Sequence, residues 1–374
     1  MSKSKLTVEH CATEMKAVIA SENRRVTSYD VALVAGVSQS AVSRCFKPGA
    51  SVSKTTYARV MQAATLLDYI PNAAARSLIT RRSNMVALII TNQDYLYYPE
   101  MLAELSQQMT ARGKRVLLFT LAREADVDSA LADVWQYQVD GVIAAARLSP
   151  EHIAEFDRRR VPLVLFNRIL RDHAVNTVSC DHLDAGRMLA SRLAAAGHRQ
   201  FGIIGGNMDS SVASERRRGA CERIAELGLP APIVVPGQYD YRSGALGLKA
   251  IIAQLGGVPD AIICGSDVMA IGCLDYARHE LGIDVPGQLS VAGFDAVEPS
   301  NWISYNLTTL RQPMPKMAAA AADLLCARIA QHDTETERRV FSAQFIEGAT
   351  ARLTPVGASP ARPATDLSLP VAIM

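Results

Sequence analysis

Gln39, Ser40, Ser43 and Arg44 lie within six consecutive residues, and their side chains can read nucleic acid. The Gln39 amide can bond adenine bidentately, and the Arg44 guanidinium can bond the O6/N7 pair of guanine. Ser43 offers a hydroxyl suited to phosphate. Left without a partner, the same residues would be an idle solvated face, so the backbone that carries them decides between the two readings. Thr27 to Asp30 reads T-S-Y-D, a helix start in which Thr27 caps and Asp30 bonds back. Val31, Ala32, Val34 and Ala35 follow as a short apolar stripe, and Gly36 stops the helix because glycine enters the left-handed region at little cost. Val37 plugs the turn, and Ser38 caps a second helix through Cys45. Two short helices joined by a glycine-containing turn are the helix-turn-helix signature. Thr27, Ser28 and Ser38 stand at the capped starts, where hydroxyls and open N–H groups can meet phosphate.

A third helix is predicted from near Ser53, with Val60, Ala63, Ala64 and Leu67 as its core stripe and Pro71 as its end. Ser53, Lys54 and Thr56 at its start offer further phosphate contacts. In P-N-A-A-A-R-S-L (71–78), Asn72 can cap a brief helix carrying Arg76 and Leu78. Such a helix can enter the minor groove and wedge a base step apart, although alone it is too short to be stable in water. Ahead of the helix-turn-helix, Val8, Cys11, Ala12, Met15, Val18 and Ile19 share one helical stripe. This predicts an extra helix packed on the head or on a second copy, with a disordered leader as the rival.

The charge distribution agrees with a nucleic-acid module joined to something else. Residues 1–85 hold twelve Lys and Arg against five Asp and Glu, and the remainder holds 27 against 32. At 374 residues, 49% hydrophobic and 20% charged, the chain is an ordinary folded protein of two or three domains. The longest near-apolar stretch, Met317–Ala327, carries Asp323 and falls short of the roughly 20 apolar residues a membrane helix needs. No apolar signal region opens the chain. The seven cysteines are scattered without a Cys-x-x-Cys pair, which argues for reduced thiols in a cytoplasmic protein. The seven histidines show no metal-ligand spacing. G-x-G-x-x-G after a strand, the P-loop, G-x-S-x-G and H-E-x-x-H are absent, so no catalytic residue, metal or cofactor is expected.

From Met85 onward short apolar runs alternate with helical patterns. The predicted strands are 85–90, 116–119, 141–145, 163–166, 201–205, 233–235, 261–264 and 289–294. The predicted helices are 101–112, 126–137, 151–159, 184–196, 214–227, 243–255 and 269–281. Such alternation means parallel sheets covered on both faces, and eight strands suggest two lobes with a ligand crevice at the strand ends. Polar residues collect there: Asn92, Asp94, Asn167, Arg168, Asp181, Asn207, Asp267 and Asp295. That set suits a hydroxyl-rich ligand.

These segments together resemble the LacI/GalR family of bacterial repressors. The likeness rests on V-T-S-Y-D-V-A-L-V-A-G-V-S-Q-S-A-V-S-R (26–44), V-S-K-T-T (52–56) and Y-I-P-N-A-A-A-R-S-L (69–78). Looser matches follow in order: Y-P-E (98–100), V-D-G-V-I (139–143), G-H-R-Q-F-G-I-I-G-G (197–206), R-R-R-G (216–219), S-D-V-M-A-I-G (266–272), T-T-L-R-Q-P (308–313) and G-A-T-A-R (348–352). The resemblance implies a homodimer on double-stranded operator DNA, with a two-lobed body like a periplasmic sugar-binding protein. It places base readers at Gln39, Ser40 and Arg44, the minor-groove wedge at Leu78, and effector contacts at Asn167, Arg216, Tyr239 and Asp267, to which strand-end Asn92 and Tyr98 of Y-P-E are added as expected effector contacts. By the same likeness Asp267 would accept from hydroxyls, Arg216 would hold an oxygen or carboxylate, and Tyr239 would stack on an apolar ring face. Asn167 stands where many relatives carry Asp.

The expected architecture is an all-α helix-turn-helix head joined to an α/β body of two doubly wound parallel-sheet lobes, periplasmic-binding-protein-like. Its segments are an extension (1–25), the head (26–70), a hinge and linker (71–82), the body (83–352) and a disordered tail (353–374). The expected function is repression of transcription in the cytoplasm, at the nucleoid, controlled by a small sugar-like effector and without membrane association. A solute-binding protein without a DNA role is the alternative, and an enzyme on a doubly wound fold the third.

Overall fold

The computed structural model describes residues 7–47, 49–72, 82–91, 98–123, 126–168, 170, 173–207, 210–331 and 335–354. The expectations for Arg76, Leu78, Asn92 and the tail beyond 354 lie outside these residues, as does the side chain of Tyr98. The chain divides into two units, Met1–Ser83 and Asn84–Met374.

The first unit is helical: α1 (Val8–Ser21), α2 (Ser28–Ala35), α3 (Gln39–Cys45) and α4 (Lys54–Leu66). Thr27, Ser38 and Ser53 cap α2, α3 and α4 in extended backbone, each accepting a bond from the N–H three residues on. Gly36 ends α2 at φ 58°, with Val37 N–H bonded back to the Ala32 carbonyl at 2.9 Å. Val31, Ala35, Val42, Val60 and Ala63 meet in one small core, and the extension adds α1 to it through buried Ala12. The third predicted helix stops earlier than Pro71. Asp68 takes a left-handed φ of 53° and Tyr69 N–H bonds to the Ala64 carbonyl, which closes α4 at Leu66.

The second unit holds two parallel sheets. The first has the order β11-β5-β4-β3-β1-β2, with β1 (Met85–Thr91), β2 (Arg115–Leu121), β3 (Gly141–Ala144), β4 (Leu163–Phe166), β5 (Asn176–Cys180) and β11 (Arg338–Phe341). The second has the order β7-β6-β8-β9, with β6 (Phe201–Ile204), β7 (Ile233–Val235), β8 (Ala261–Cys264) and β9 (Ser290–Ala292). An antiparallel pair joins β10 (Thr309–Arg311) to β12 (Gln344–Ile346). Alternation along β1 supplies both cores of the first lobe. Val86, Leu88 and Ile90 face α5 (Tyr98–Ala111) and α12 (Met314–Ala330), while Ala87 and Ile89 face α6 (Val127–Gln136) and α7 (Pro150–Arg159). In the second lobe α8 (His182–Ala195), α9 (Ser211–Glu226), α10 (Tyr241–Leu255) and α11 (Asp267–Asp275) flank the sheet.

The chain passes between lobes three times: after β5, after β10 and after β11. Four of the strands among the described residues were not predicted. β5 reads N-T-V-S-C, β10 is T-L-R, β11 is the charged R-R-V-F, and β12 is Q-F-I, so none shows an apolar run. Helix α12 was not predicted either, although its apolar stretch was visible. Among the described residues no helix is long and apolar enough to cross a membrane.

Candidate nucleic-acid interface and inter-lobe site

In the helical unit the capping box at α2 is complete. Thr27 N–H donates to Asp30 Oδ2 at 2.8 Å, and Asp30 N–H donates back to the Thr27 hydroxyl. Arg24 reaches across from the extension and clamps the same carboxylate with two bonds of 2.7 and 2.9 Å. That clamp, against the cost of burial, pulls the Asp30 pKa down to about 2. The lowered value makes this contribution full above the ordinary carboxyl range and lost as pH falls through about 2. In Arg24→Gln the acid-induced opening of the head is therefore expected to move up from about 2 toward 3.8, read as amide exchange over 26–47.

Helix α3 turns Ser40, Ser43 and Arg44 to solvent while Ala41 and Val42 are buried, so the polar face is presented outward. Gln39 is half-buried, and its amide donates to the Ser28 hydroxyl at 3.1 Å, tying the starts of α3 and α2 together. Thr27, Ser38, Ser53 and Asn72 are exposed, whereas Ser28 and Thr56 are half-buried. Beside the polar face lies a groove of about 510 Å³ lined by Arg44, Lys47, Lys54 and Tyr57. Three cations along one groove make an electrostatic track for a polyanion. Lys47 and Tyr57 were missed by the sequence reading, as was Tyr29, 71% exposed on α2.

In the body, Arg216 on α9 is buried and directs four of its five N–H groups at neighbours. Nε donates to His182 Nδ1 (3.3 Å), Nη1 to the Gly265 carbonyl (2.7 Å) and Asp295 Oδ2 (3.3 Å), and Nη2 to Asp295 Oδ1 (2.6 Å). Its guanidinium also lies 4.6 Å over the Phe294 ring. Because His182 Nδ1 accepts, Nε2 carries the hydrogen, and burial with Arg216 alongside holds this imidazole neutral, well below its usual pKa. His182 Nε2 has no hydrogen-bond partner among the described residues. Asn167 and Asp295 follow the ends of β4 and β9, Tyr239 lies four residues beyond β7, and all three adopt positive φ of 50°, 101° and 59°. Non-glycine residues held there carry backbone strain, which concentrates at functional sites.

The comparisons with known proteins agree with this geometry. Residues 27–72 match bacterial regulatory proteins of the lacI family, and residues 190–351 match the periplasmic binding protein-like domain. The HTH-type transcriptional regulator AscG of Escherichia coli (strain K12) is 30% identical over 298 residues, which is 78% of this chain and 88% of AscG. The chain belongs to the LacI family. It is a DNA-binding transcriptional regulator with an effector-binding body. A solved complex of the transcriptional regulator CelR with cellobiose has a TM-score of 0.67 at 27% identity, covering 87% of this chain and all of that one. The lac repressor dimer bound to operator and the anti-inducer ONPF has a TM-score of 0.80 at 24% identity, covering 87% and 99%, and shares the fold.

Within this LacI-family body three of the expected effector residues are engaged by the protein itself. Asp267 is fully buried at the start of α11. Its Oδ1 accepts from the Thr309 hydroxyl (2.6 Å) and its Oδ2 from Val297 N–H (2.9 Å). Gly293 leaves room for that carboxyl, since a Cβ there would overlap Oδ1. Asp267 therefore pins β10 and the segment after β9 onto α11. Asn167 is also committed, accepting from Cys180 N–H (3.1 Å) and donating to Gln312 Oε1 (2.7 Å). Tyr239 is 7% exposed within the second-lobe core, its ring against Gly206. Asp295, His182 and Gln312 take the places around Arg216. Asp295 had a sequence signal as a polar residue at a strand end, and Gln312 lay in the T-T-L-R-Q-P match without a role assigned to it.

Burial and then the nearby Asp295 raise the Asp267 pKa well above the usual carboxyl range. A raised acid costs stability that grows as pH climbs above its ordinary value. Asp267→Asn can still accept from Val297 and donate to Thr309, so it is expected to fold and to gain stability over wild type as pH rises from 4 to 8 in urea titrations. Asp267→Ala strands both partners and is expected to cost about 1–3 kcal/mol.

Proposed function

We propose that the protein represses its target genes as a cytoplasmic homodimer whose hold on operator DNA is set by a small polar effector, a sugar or sugar derivative, bound at the Arg216–Asp295 pair. The observation that carries this reading is the cluster of buried Arg216, half-buried Asp295 and the strained strand end that carries Asp295. The two charges already sit out of water, so a ligand meets oriented partners. One N–H of Arg216 and the buried Nε2–H of His182 are donors for its oxygens, and Asp295 is an acceptor for its hydroxyls. The cellobiose complex of CelR supports a sugar. Two heads would read half-sites of a pseudo-palindrome through Gln39, Ser40 and Arg44, with Thr27, Ser28, Ser38, Ser43, Ser53, Thr56 and Asn72 on phosphates, while Arg76 and Leu78 would enter the minor groove between them. The dimer would bury apolar surface exposed in one copy. Trp302 and Ile303 are 54% and 100% exposed, and edge strand β2 exposes Leu118.

Equilibrium selection from random duplexes tests the DNA half and is expected to return a two-fold site. On that site Arg44→Ala should weaken binding by about 1–3 kcal/mol and relax one base position, while equal loss on every sequence would overturn its base-reading role. A thermal-shift screen of sugars and sugar acids tests the effector half. Any hit must change operator affinity by the factor by which operator changes its own.

A further inference from the structure

We propose that Asn167 and Gln312 are positioning residues that form a one-way amide relay, holding Asp295 of the second lobe to the first and setting the lobe arrangement that an effector must change. The proposal rests on the reading that the Arg216–Asp295 pair receives the effector.

Three bonds build the relay. Cys180 N–H donates to Asn167 Oδ1 at 3.1 Å, Asn167 Nδ2 to Gln312 Oε1 at 2.7 Å, and Gln312 Nε2 to Asp295 Oδ1 at 2.8 Å. Each member occupies a distinct part of the hinge. Asn167 follows β4 in the first lobe, and Cys180 closes β5 at the first passage between lobes. Gln312 follows β10 at the second passage, and Asp295 follows β9 in the second lobe. Both amide side chains are 6% exposed, so water competes little for these bonds.

The direction of the relay is fixed from both ends. A backbone N–H can only donate and an ionised carboxylate can only accept, so each amide has one orientation that satisfies its neighbours. This explains asparagine at 167. A carboxylate there would have nothing to donate to Gln312. The Gln312 amide would have to turn its nitrogen toward residue 167, leaving its oxygen against Asp295. Asparagine also tolerates the φ of 50° at this strand end better than most residues. Asp295 Oδ1 takes Gln312 and Arg216 together, at 2.8 and 2.6 Å. A ligand hydroxyl donating to that oxygen competes with Gln312 and loosens the link between the two passages. Binding at the second lobe is thereby coupled to where the first lobe sits.

The test uses the full-length protein in three variants. Asn167→Asp reverses the polarity at constant shape. Gln312→Met removes the relay without adding charge. The pair N167D/Q312K restores donors toward both carboxylates. Amide exchange of peptides 176–184 and 308–316, measured without DNA or ligand, is expected to rise about tenfold in the two single variants and to fall back in the pair. Affinity for the duplex selected with wild type is expected to move fivefold or more in one shared direction for both single variants and to recover in the pair. Wild-type exchange in the single variants, or raised exchange with unchanged operator affinity, overturns the proposal. If Asn167→Asp fails to fold, Gln312→Met is read alone by the same two measurements. A wild-type protein that selects no duplex would instead refute the regulatory reading, and the exchange measurement would still judge the relay.

Discussion

Arg216→Met is expected to lower the stability of the body by about 3–5 kcal/mol, the cost of removing one partner from a buried charge pair. Only 5% of the Arg216 side chain and 11% of the Asp295 side chain are exposed. Burial works against the Arg216 charge, and Asp295 beside it more than offsets that, keeping the guanidinium protonated. Methionine restores much of the volume over Phe294 but leaves Asp295 with Gln312 as its one remaining side-chain donor among the described residues. It also strands His182 Nδ1 and the Gly265 carbonyl. Urea unfolding followed by the fluorescence of Trp135 and Trp302 should show the midpoint fall. A change under 1 kcal/mol would mean that the pair is far wetter than its burial indicates.

Gly219→Ala should cost about 3 kcal/mol, at the upper end of overpacking penalties. A Cβ on Gly219 of α9 would overlap the Leu183 carbonyl oxygen of α8, and one on Gly186 of α8 would overlap the Arg216 carbonyl oxygen of α9. The two helices thus cross backbone to backbone through reciprocal glycines. Neither obstruction is a flexible side chain that could swing aside, so the helices must separate. Arg216 lies one turn before Gly219, so separation would also draw its guanidinium off Asp295. Thermal unfolding should place Gly219→Ala well below wild type, and an effector found by screening should bind it more weakly. A variant as stable as wild type would show that the crossing has slack.

Much of the fold was legible because local chemistry dictated it. Strands 163–166, 233–235 and 261–264 carry their predicted bounds, since strands within parallel sheets read as short apolar runs between turn residues. The starts of α2 and α3 followed from cap residues whose bonds the structure displays. What escaped was set by distant chain. β11 is a charged segment that becomes a strand only because β5, more than 150 residues earlier, offers an unpaired edge. β5 itself is polar yet buried between β4 and β11, and Asn176 Oδ1 accepts from Glu337 N–H next to β11. The sequence reading placed Asp267 in the effector set and left Asp295 among the polar residues at strand ends. Both follow strands, and type and spacing do not separate them. The turn geometry does: Asp267 begins a helix and folds under Gly293, whereas φ of 101° at Asp295 aims its carboxylate at Arg216 and Gln312.

The triple passage of the chain between the lobes has a mechanical corollary. Three parallel tethers resist torsion together, so a twist of one lobe must be shared among Cys180–Asp181, Arg311–Gln312 and the segment from Phe341 to Gln344. A protease cut in any one tether would give two chain fragments, yet the lobes would stay linked through the other two tethers and the packing within each lobe. Such a nicked body would run as one particle under native conditions and as fragments in denaturant, and it would resist torsion less than the intact form.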